Sequence, residues 1–513
     1  MQNGFPPPGM KELNVAVVGC GVMGRGIVQI AALAGATVYL VDSREGAAQA
    51  ARDTLLSTFD TLAGKGKLTA EDAAAAGKRL VACNSLEELS PCHVVVEAIV
   101  EDLAAKKSLF GTLEDIVDAG AILASNTSSL SVTAIAAGLR HPERVAGFHF
   151  FNPVPLMKIV EVIGGFLTLP AVTDTLLALG RQWGHTAVLA KDTPGFIVNH
   201  AGRGYGTEGL RLLAEGVCSV PVLDAILRDT AGFRLGPCEL LDLTGLDVSH
   251  PVMESIYRQY YEEPRFRPQV LTRQMLAAGA LGRKAGHGFY RYGADGKKET
   301  VAEPQPQHGP LPSSVWLSQE RPELAERIAV LVTAAGVQIE SGARPGDHAL
   351  CIVTPLGEDA TTCCVREGLD AARTVAVESL LDLSRRRVVM TTPGTSAETL
   401  GMACAVFGAT GVPVSVIRDS AGLVTQRVVA HIVNIACEIA QQQIADPQDI
   451  DSAVVLGLGY PIGPLAWGDQ LGPATVLAIL KNLEQQTGDT RYRPSPWLQR
   501  RALLGLPLYH KEI

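Results

Sequence analysis

The sequence predicts an α/β fold: a doubly wound parallel sheet, an all-helical domain, a degenerate α/β segment and a second helical copy. Three observations carry this. Strand-like runs alternate with helical patterns over the first 190 residues, a glycine-rich turn joins the first strand to the first helix, and one helical segment returns at a fixed offset. The 513 residues hold 44 Lys and Arg against 53 Asp and Glu, a net charge of −9. With 47% hydrophobic and 19% charged residues, disorder and fibrous repeats are excluded. An acidic chain without a basic run is a poor binder of nucleic acid or anionic membrane. Nowhere do about 18 uncharged apolar residues follow one another, so no membrane span is expected. Met1–Met10 is proline-rich, and too short and polar for a signal peptide. The ten cysteines show no C-x-x-C spacing, which predicts buried thiols in a reducing cytoplasm rather than disulfides or a metal site.

In chain order, Leu13–Gly19 is an apolar run, Val22–Leu33 has helical spacing and Thr37–Val41 is β-rich; Val94–Ile99 and Ala121–Ala124 are further strand-like runs. Residues 1–190 form the first domain. From Lys191 helical patterns dominate, giving a helical domain over 191–293. The polar, proline-rich stretch 294–312 reads as a linker. Residues 313–415, with apolar runs at Ala349–Val353 and Val388–Met390, read as a degenerate half-domain, followed by the second helical copy over 416–513. The repeat is explicit. Lys191–Ile197 (KDTPGFI) returns as Arg418–Val424 (RDSAGLV), Gly236-Pro237 as Gly463-Pro464 and Asp242 as Asp469, all at an offset of 227.

Residues 19–24 read G-x-G-x-x-G, directly after a strand and opening a helix. Gly19 permits the tight turn, Gly21-Val22-Met23 lets a diphosphate approach the helix N-terminus, and Gly24 lets helix and strand pack closely. This is a Rossmann-like dinucleotide site. Asp42 ends the second strand, where a carboxylate bonds a ribose 2′-hydroxyl and repels a 2′-phosphate, so the expected cofactor is NAD. Arg44, two residues on, softens that discrimination.

His149 lies in the apolar stretch Phe148–Phe150, and Glu161 in the β-rich run Met157–Ile163. A carboxylate among apolar neighbours needs a partner, and the turn Asn152–Pro155 folds the two segments together. A histidine titrating near neutrality can accept or donate a proton beside a bound dinucleotide. Glu161 would then hold the imidazole tautomer.

Five motifs, VEAIVEDLAAK at Val96–Lys106, SNTSSL at Ser125–Leu130, the segment around His149, KDTPGFIVN at Lys191–Asn199 and GRKAGHGFY at Gly282–Tyr290, resemble the 3-hydroxyacyl-CoA dehydrogenase family over about the first 290 residues. The long form resembles bacterial enzymes of phenylacetate catabolism and of 3-hydroxybutyryl-CoA metabolism. The resemblance implies oxidation of a (3S)-3-hydroxyacyl-CoA to the 3-oxoacyl-CoA, in fatty-acid or phenylacetate-type (3-hydroxyadipyl-CoA) catabolism. It implies that Ser128 and Asn199 bind the reacting oxygen, that Glu101 and Lys106 contact the nicotinamide-side ribose and phosphates, and that Asn152 fixes the nicotinamide or its ribose. Lys65 and Lys67, on a G-K-G-K segment, are candidates for the CoA phosphates. Ser128 also suits the N-cap of a helix over Val132–Leu139, and Lys106 a solvated helix face.

The second copy departs from the pattern. Asn199 falls on Gln426, and Thr391-Thr392-Pro393-Gly394 stands where the first has Ser125-Asn126-Thr127-Ser128. One active site per chain is expected. The two helical copies, Lys191–Tyr290 and Arg418–Leu508, are expected to pack as an intrachain pseudo-dimer, with a further homodimer open. Two other readings compete: a dehydrogenase of free hydroxy acids using a catalytic lysine, and a non-catalytic binding protein on the same scaffold. No residue names the acyl group.

Overall fold

β1 (Asn14–Val18) is apolar on both faces, as a central parallel strand covered by helices must be. It belongs to an eight-stranded sheet completed by β2 (Thr37–Val41), β3 (Leu80–Ala82), β4 (Val94–Glu97), β5 (Ile122–Ser125), β6 (Val145–Phe150), β7 (Ile159–Gly164) and β8 (Thr186–Lys191), in the order β3-β2-β1-β4-β5-β6-β7-β8. All neighbours are parallel except β6 and β7, which run antiparallel with His149 opposite Glu161. That reversal needs only a short connection, and Phe151–Lys158 supplies it.

The computed structural model describes residues 13–512, so Met1–Met10 lies outside the described residues. The chain folds as two compact units. One runs to His200 and takes in Gln442–Leu458, and the other comprises Ala201–Gln441 and Gly459–Ile513. Within the first unit, helix Pro447–Leu458 lies on β7 and β8. The Lys191 amide at the sheet edge donates to the Ile444 carbonyl at 2.9 Å. An edge strand presents unpaired backbone groups, and this segment covers them.

The second unit holds a six-stranded sheet of β9 (Ser314–Leu317), β10 (Gln338–Ile339), β11 (Leu350–Val353), β12 (Thr374–Val377), β13 (Arg387–Thr391) and β14 (Val414–Ile417), in the order β10-β9-β11-β12-β13-β14. It too is parallel except for one pair, β12 with β13. In the same unit helix Arg203–Ala214 packs along Thr425–Gln441. Buried Glu208 meets the Arg427 guanidinium at 2.6 Å and that of Arg491 at 3.2 Å. The coil between the helices and this sheet is not a free tether. Glu303 pairs with Arg386 at 2.8 Å, and the Gly309 amide donates to the Gly401 carbonyl.

Among the described residues no helix is long and apolar enough to cross a membrane, and no cluster of His, Cys, Asp or Glu could hold a metal. The ten cysteines are free thiols, nine of them buried.

Candidate active site

The turn after β1 offers the uncapped helix start and close backbone approach that a diphosphate would need. Gly19 takes a φ of +104°, in the left-handed region, and a Cβ on Gly24 would stand 1.8 Å from the Gly19 carbonyl oxygen. Helix Val22–Leu33 begins at Gly21 with no side chain capping it, so its first amides face outward. A cleft of about 800 Å³ adjoins them, lined by Gly19, Gly21, Asp42, Leu86, Ala98 and Leu109. Asp42 accepts the Cys20 amide at 2.8 Å and the Arg44 side chain at 3.1 Å. Burial pushes its carboxyl up, but the Arg44 and Cys20 donors outweigh this and hold it below the usual carboxylate range. These groups fit a dinucleotide: uncapped amides for the phosphates and an ionised acid for the ribose.

The antiparallel register of β6 and β7 sets the other half. His149 Nδ1 is 2.7 Å from Glu161 Oε2, and both side chains are buried. Glu161 Oε1 accepts the Ile197 and Val198 amides, each at 2.9 Å. Every oxygen of this buried carboxylate is therefore bonded. With the Nδ1 proton donated to Glu161, the imidazole lone pair lies on Nε2.

Asn199 Nδ2 donates to the Ser128 carbonyl at 3.4 Å, which brings the KDTPGFIVN segment to the serine loop. Asp192 fastens the same two segments, accepting the Ser131 hydroxyl at 2.7 Å and the Val132 and Thr133 amides. The helix after the loop is Val132–Ala136 and ends earlier than the expected Leu139. Its N-cap is Ser131, bonded to the Ala134 amide, and not Ser128. Ser128 is thereby left to another role. Asn152 is exposed in the turn between β6 and β7. Lys65 and Lys67 are exposed, just past helix Ala47–Gly64.

Lys106 is not on a solvated face. It shares the buried stripe of helix Leu103–Ile116 with Phe110 and Leu113, and its ammonium lies 2.6 Å from Glu97 and 3.3 Å from Glu101. Glu101 accepts the Thr127 hydroxyl at 2.7 Å, the Ser128 amide at 2.9 Å and the Ser129 amide at 3.1 Å. Burial raises its carboxyl, and these donors with Lys106 more than reverse that, holding it below the usual range. Sequence reasoning missed Glu97, Thr127 and Asp192. An acid closing the run Val94-Val95-Val96 was the available signal for Glu97.

The model of the 3-hydroxyacyl-CoA dehydrogenase NAD-binding domain matches residues 14–193, and that of the family's C-terminal domain matches 195–292 and again 422–507. The chain belongs to the 3-hydroxyacyl-CoA dehydrogenase family. It is an NAD-dependent oxidoreductase of 3-hydroxyacyl-CoA. The 3-hydroxyadipyl-CoA dehydrogenase of Escherichia coli (strain K12) is 38% identical over 496 residues, 96% of this chain and 98% of that protein. A solved 3-hydroxybutyryl-CoA dehydrogenase from Escherichia coli K12 superposes with a TM-score of 0.84 at 36% identity, covering 96% and 99% of the two chains. The probable 3-hydroxybutyryl-CoA dehydrogenase of Bacillus subtilis is 39% identical and matches 55% of this chain and 98% of itself.

Within this 3-hydroxyacyl-CoA dehydrogenase, the second sheet carries other residues at the positions of His149 and Glu161. Val388 pairs with Ser415 as Glu161 pairs with Val188, so Val388 holds the place of Glu161. Across from it, where His149 would stand, is buried Glu378, whose amide donates to the Val388 carbonyl. Gln426, in the place of Asn199, donates to Glu378 at 3.0 Å and to the Pro355 carbonyl at 3.1 Å, and accepts the Gly357 amide. Thr391–Gly394 does not replace Ser125–Ser128. It ends β13, the counterpart of β7, and so matches Gly164–Leu167; the counterpart of β5 is β11, since Asp419 accepts the Ala360 and Thr361 amides after it as Asp192 accepts those of Val132 and Thr133.

Proposed function

We propose that His149 is the general base of the reaction, that Glu161 holds its tautomer and balances the imidazolium, and that Ser128 and Asn199 bond the substrate oxygen as it gains alkoxide character. The 2.7 Å contact between His149 Nδ1 and Glu161 carries this reading, because it leaves Nε2 as the free basic nitrogen. Bound NAD supplies the hydride acceptor. Gly19, Gly21, Val22, Met23 and Gly24 receive its diphosphate, Asp42 its adenosine ribose, and Glu101, Lys106 and Asn152 its nicotinamide side. Lys65 and Lys67 remain our candidates for the CoA phosphates. One site per chain is proposed, since the second sheet carries Val388 and Glu378 in place of the acid–histidine pair.

For the acyl group we propose (3S)-3-hydroxyadipyl-CoA, as in phenylacetate-type catabolism, because the relative of that name matches this chain over nearly its whole length. The full-length solved structure named for 3-hydroxybutyryl-CoA supports a short unbranched substrate as the second reading. Comparing kcat/KM for the two CoA thioesters with NAD decides between them. A preference for 3-hydroxybutyryl-CoA would overturn the first, and no turnover of either would overturn both acyl assignments.

We also propose that the helical copies form an intrachain pseudo-dimer. Support comes from helix Arg203–Ala214 lying along Thr425–Gln441, and from Glu208 buried between Arg427 and Arg491. A cytoplasmic setting suits ten cysteines without a disulfide.

A further inference from the structure

Glu97 closes the central strand β4 with no solvent exposure. Burying a carboxylate costs several kcal/mol unless it is fully paired, and this one is. Oε1 accepts the Ile99 amide at 2.7 Å and the Lys106 ammonium at 2.6 Å, and Oε2 accepts the Ser125 hydroxyl at 2.6 Å. Lys106, itself 1% exposed, stands between Glu97 and Glu101 Oε2 at 3.3 Å. The other oxygen of Glu101 gathers the loop: the Thr127 hydroxyl, the Ser128 amide, and the Ser129 amide and hydroxyl, all within 3.1 Å. One cation thus sits between two carboxylates. The inner one also holds the end of β5, and the outer one holds the loop that follows β5.

We propose that Glu97 is a positioning residue for the reaction. By holding the Lys106 ammonium on the sheet side, it stops Lys106 from drawing Glu101 off the Thr127–Ser129 donors, and so fixes where the Ser128 hydroxyl stands. The inference rests on the reading of Ser128 as a group bonding the substrate oxygen. Charge makes it directional. If Glu97 becomes neutral, Lys106 is left with Glu101 as its sole anionic partner, and the strongest competitor for Glu101 is no longer restrained. A displacement of the order of 1 Å at a positioned group costs about 100-fold in rate.

The test is a double-mutant cycle on the full chain with saturating NAD. Glu97→Gln is expected to lower kcat about 10–100-fold while KM for the acyl-CoA stays within about twofold. A merely structural role would lower the melting temperature and leave kcat per folded molecule unchanged. Ser128→Ala should cost far less in the Glu97→Gln background than alone, because residues acting as a unit are not additive. Full additivity, or an unchanged kcat in soluble, folded Glu97→Gln, overturns the proposal. If Ser128→Ala alone costs nothing, the reading of Ser128 fails instead, and the two failures are distinct. Should Glu97→Gln not fold, Glu97→Asp keeps the charge and shortens the reach, and the same cycle with it must show the same non-additivity.

Discussion

His149 and Glu161 were legible because each violates its surroundings: an imidazole between phenylalanines and a carboxylate in a β-rich run. Spacing alone does not pair them. The antiparallel register does, by setting them directly opposite. Replacing His149 with Gln should leave NAD affinity intact and lower kcat by roughly 10²–10⁴-fold, as measured by isothermal titration and steady-state kinetics. Near-normal turnover would refute the assignment. Asp42 offers a second residue-level test. Its carboxylate already takes the Cys20 amide and Arg44. Asp42→Ala should weaken NAD binding by about ten- to hundred-fold, the loss of a charge-assisted bond, and narrow the gap between NAD and NADP. An unchanged ratio of the two dissociation constants would remove Asp42 from ribose recognition.

At the scale of elements, most strands of the first sheet followed from apolar and β-rich runs, but the short strand Leu80–Ala82, the edge strand Thr186–Lys191 and the placement of one late helix did not. The helical pattern from Lys191 hid the strand Thr186–Lys191, which has an edge strand's mixed exposure rather than a clean alternation. The repeat revealed two copies of the helical segment without revealing that one helix of the second copy, Pro447–Leu458, lies on the first sheet. Long-range placement leaves no trace in local pattern. At the end of that helix, a Cβ on Gly457 would come within 3.0 Å of the Val198 side chain. The amide of Val198 is one of the two that hold Glu161. Gly457→Val is therefore expected to push Val198 and loosen the grip on Glu161. Overpacking of this kind costs about 1–3 kcal/mol, and kcat should fall with it while NAD affinity stays. A variant with wild-type kcat and melting temperature would show that the contact is slack.

For the molecule as a whole, the helical core adds a pH dependence. Burial pulls His431 down to about 3, only partly offset by Glu208. The unfolded chain binds that proton near the ordinary histidine value, whereas the folded chain refuses it. Stability is therefore complete above the ordinary histidine range and is lost as pH falls through it. Glu208 acts in the same direction at lower pH. Burial raises it, but Arg491 and Arg427 hold it far below the usual carboxylate range. Thermal unfolding should show the melting temperature dropping from pH 7 to pH 5, and His431→Leu should flatten that slope. Equal slopes in the two proteins would exclude His431 as the source. Truncation after Tyr290 removes both Thr425–Gln441 and Pro447–Leu458, so the product should aggregate or dimerise anew in light scattering. A soluble, monomeric, fully active fragment would sink the pseudo-dimer.

The placement of Pro447–Leu458 also bears on how the protein is made. The sheet carrying His149 and Glu161 is synthesised by residue 191, yet the helix that covers its edge emerges only with Leu458. At about 5–20 residues per second, the ribosome leaves β8 and its neighbours bare for roughly 13–50 s. During that interval the nascent chain presents an open strand edge to its surroundings, and holding it safe falls to chaperones or to the speed of translation itself.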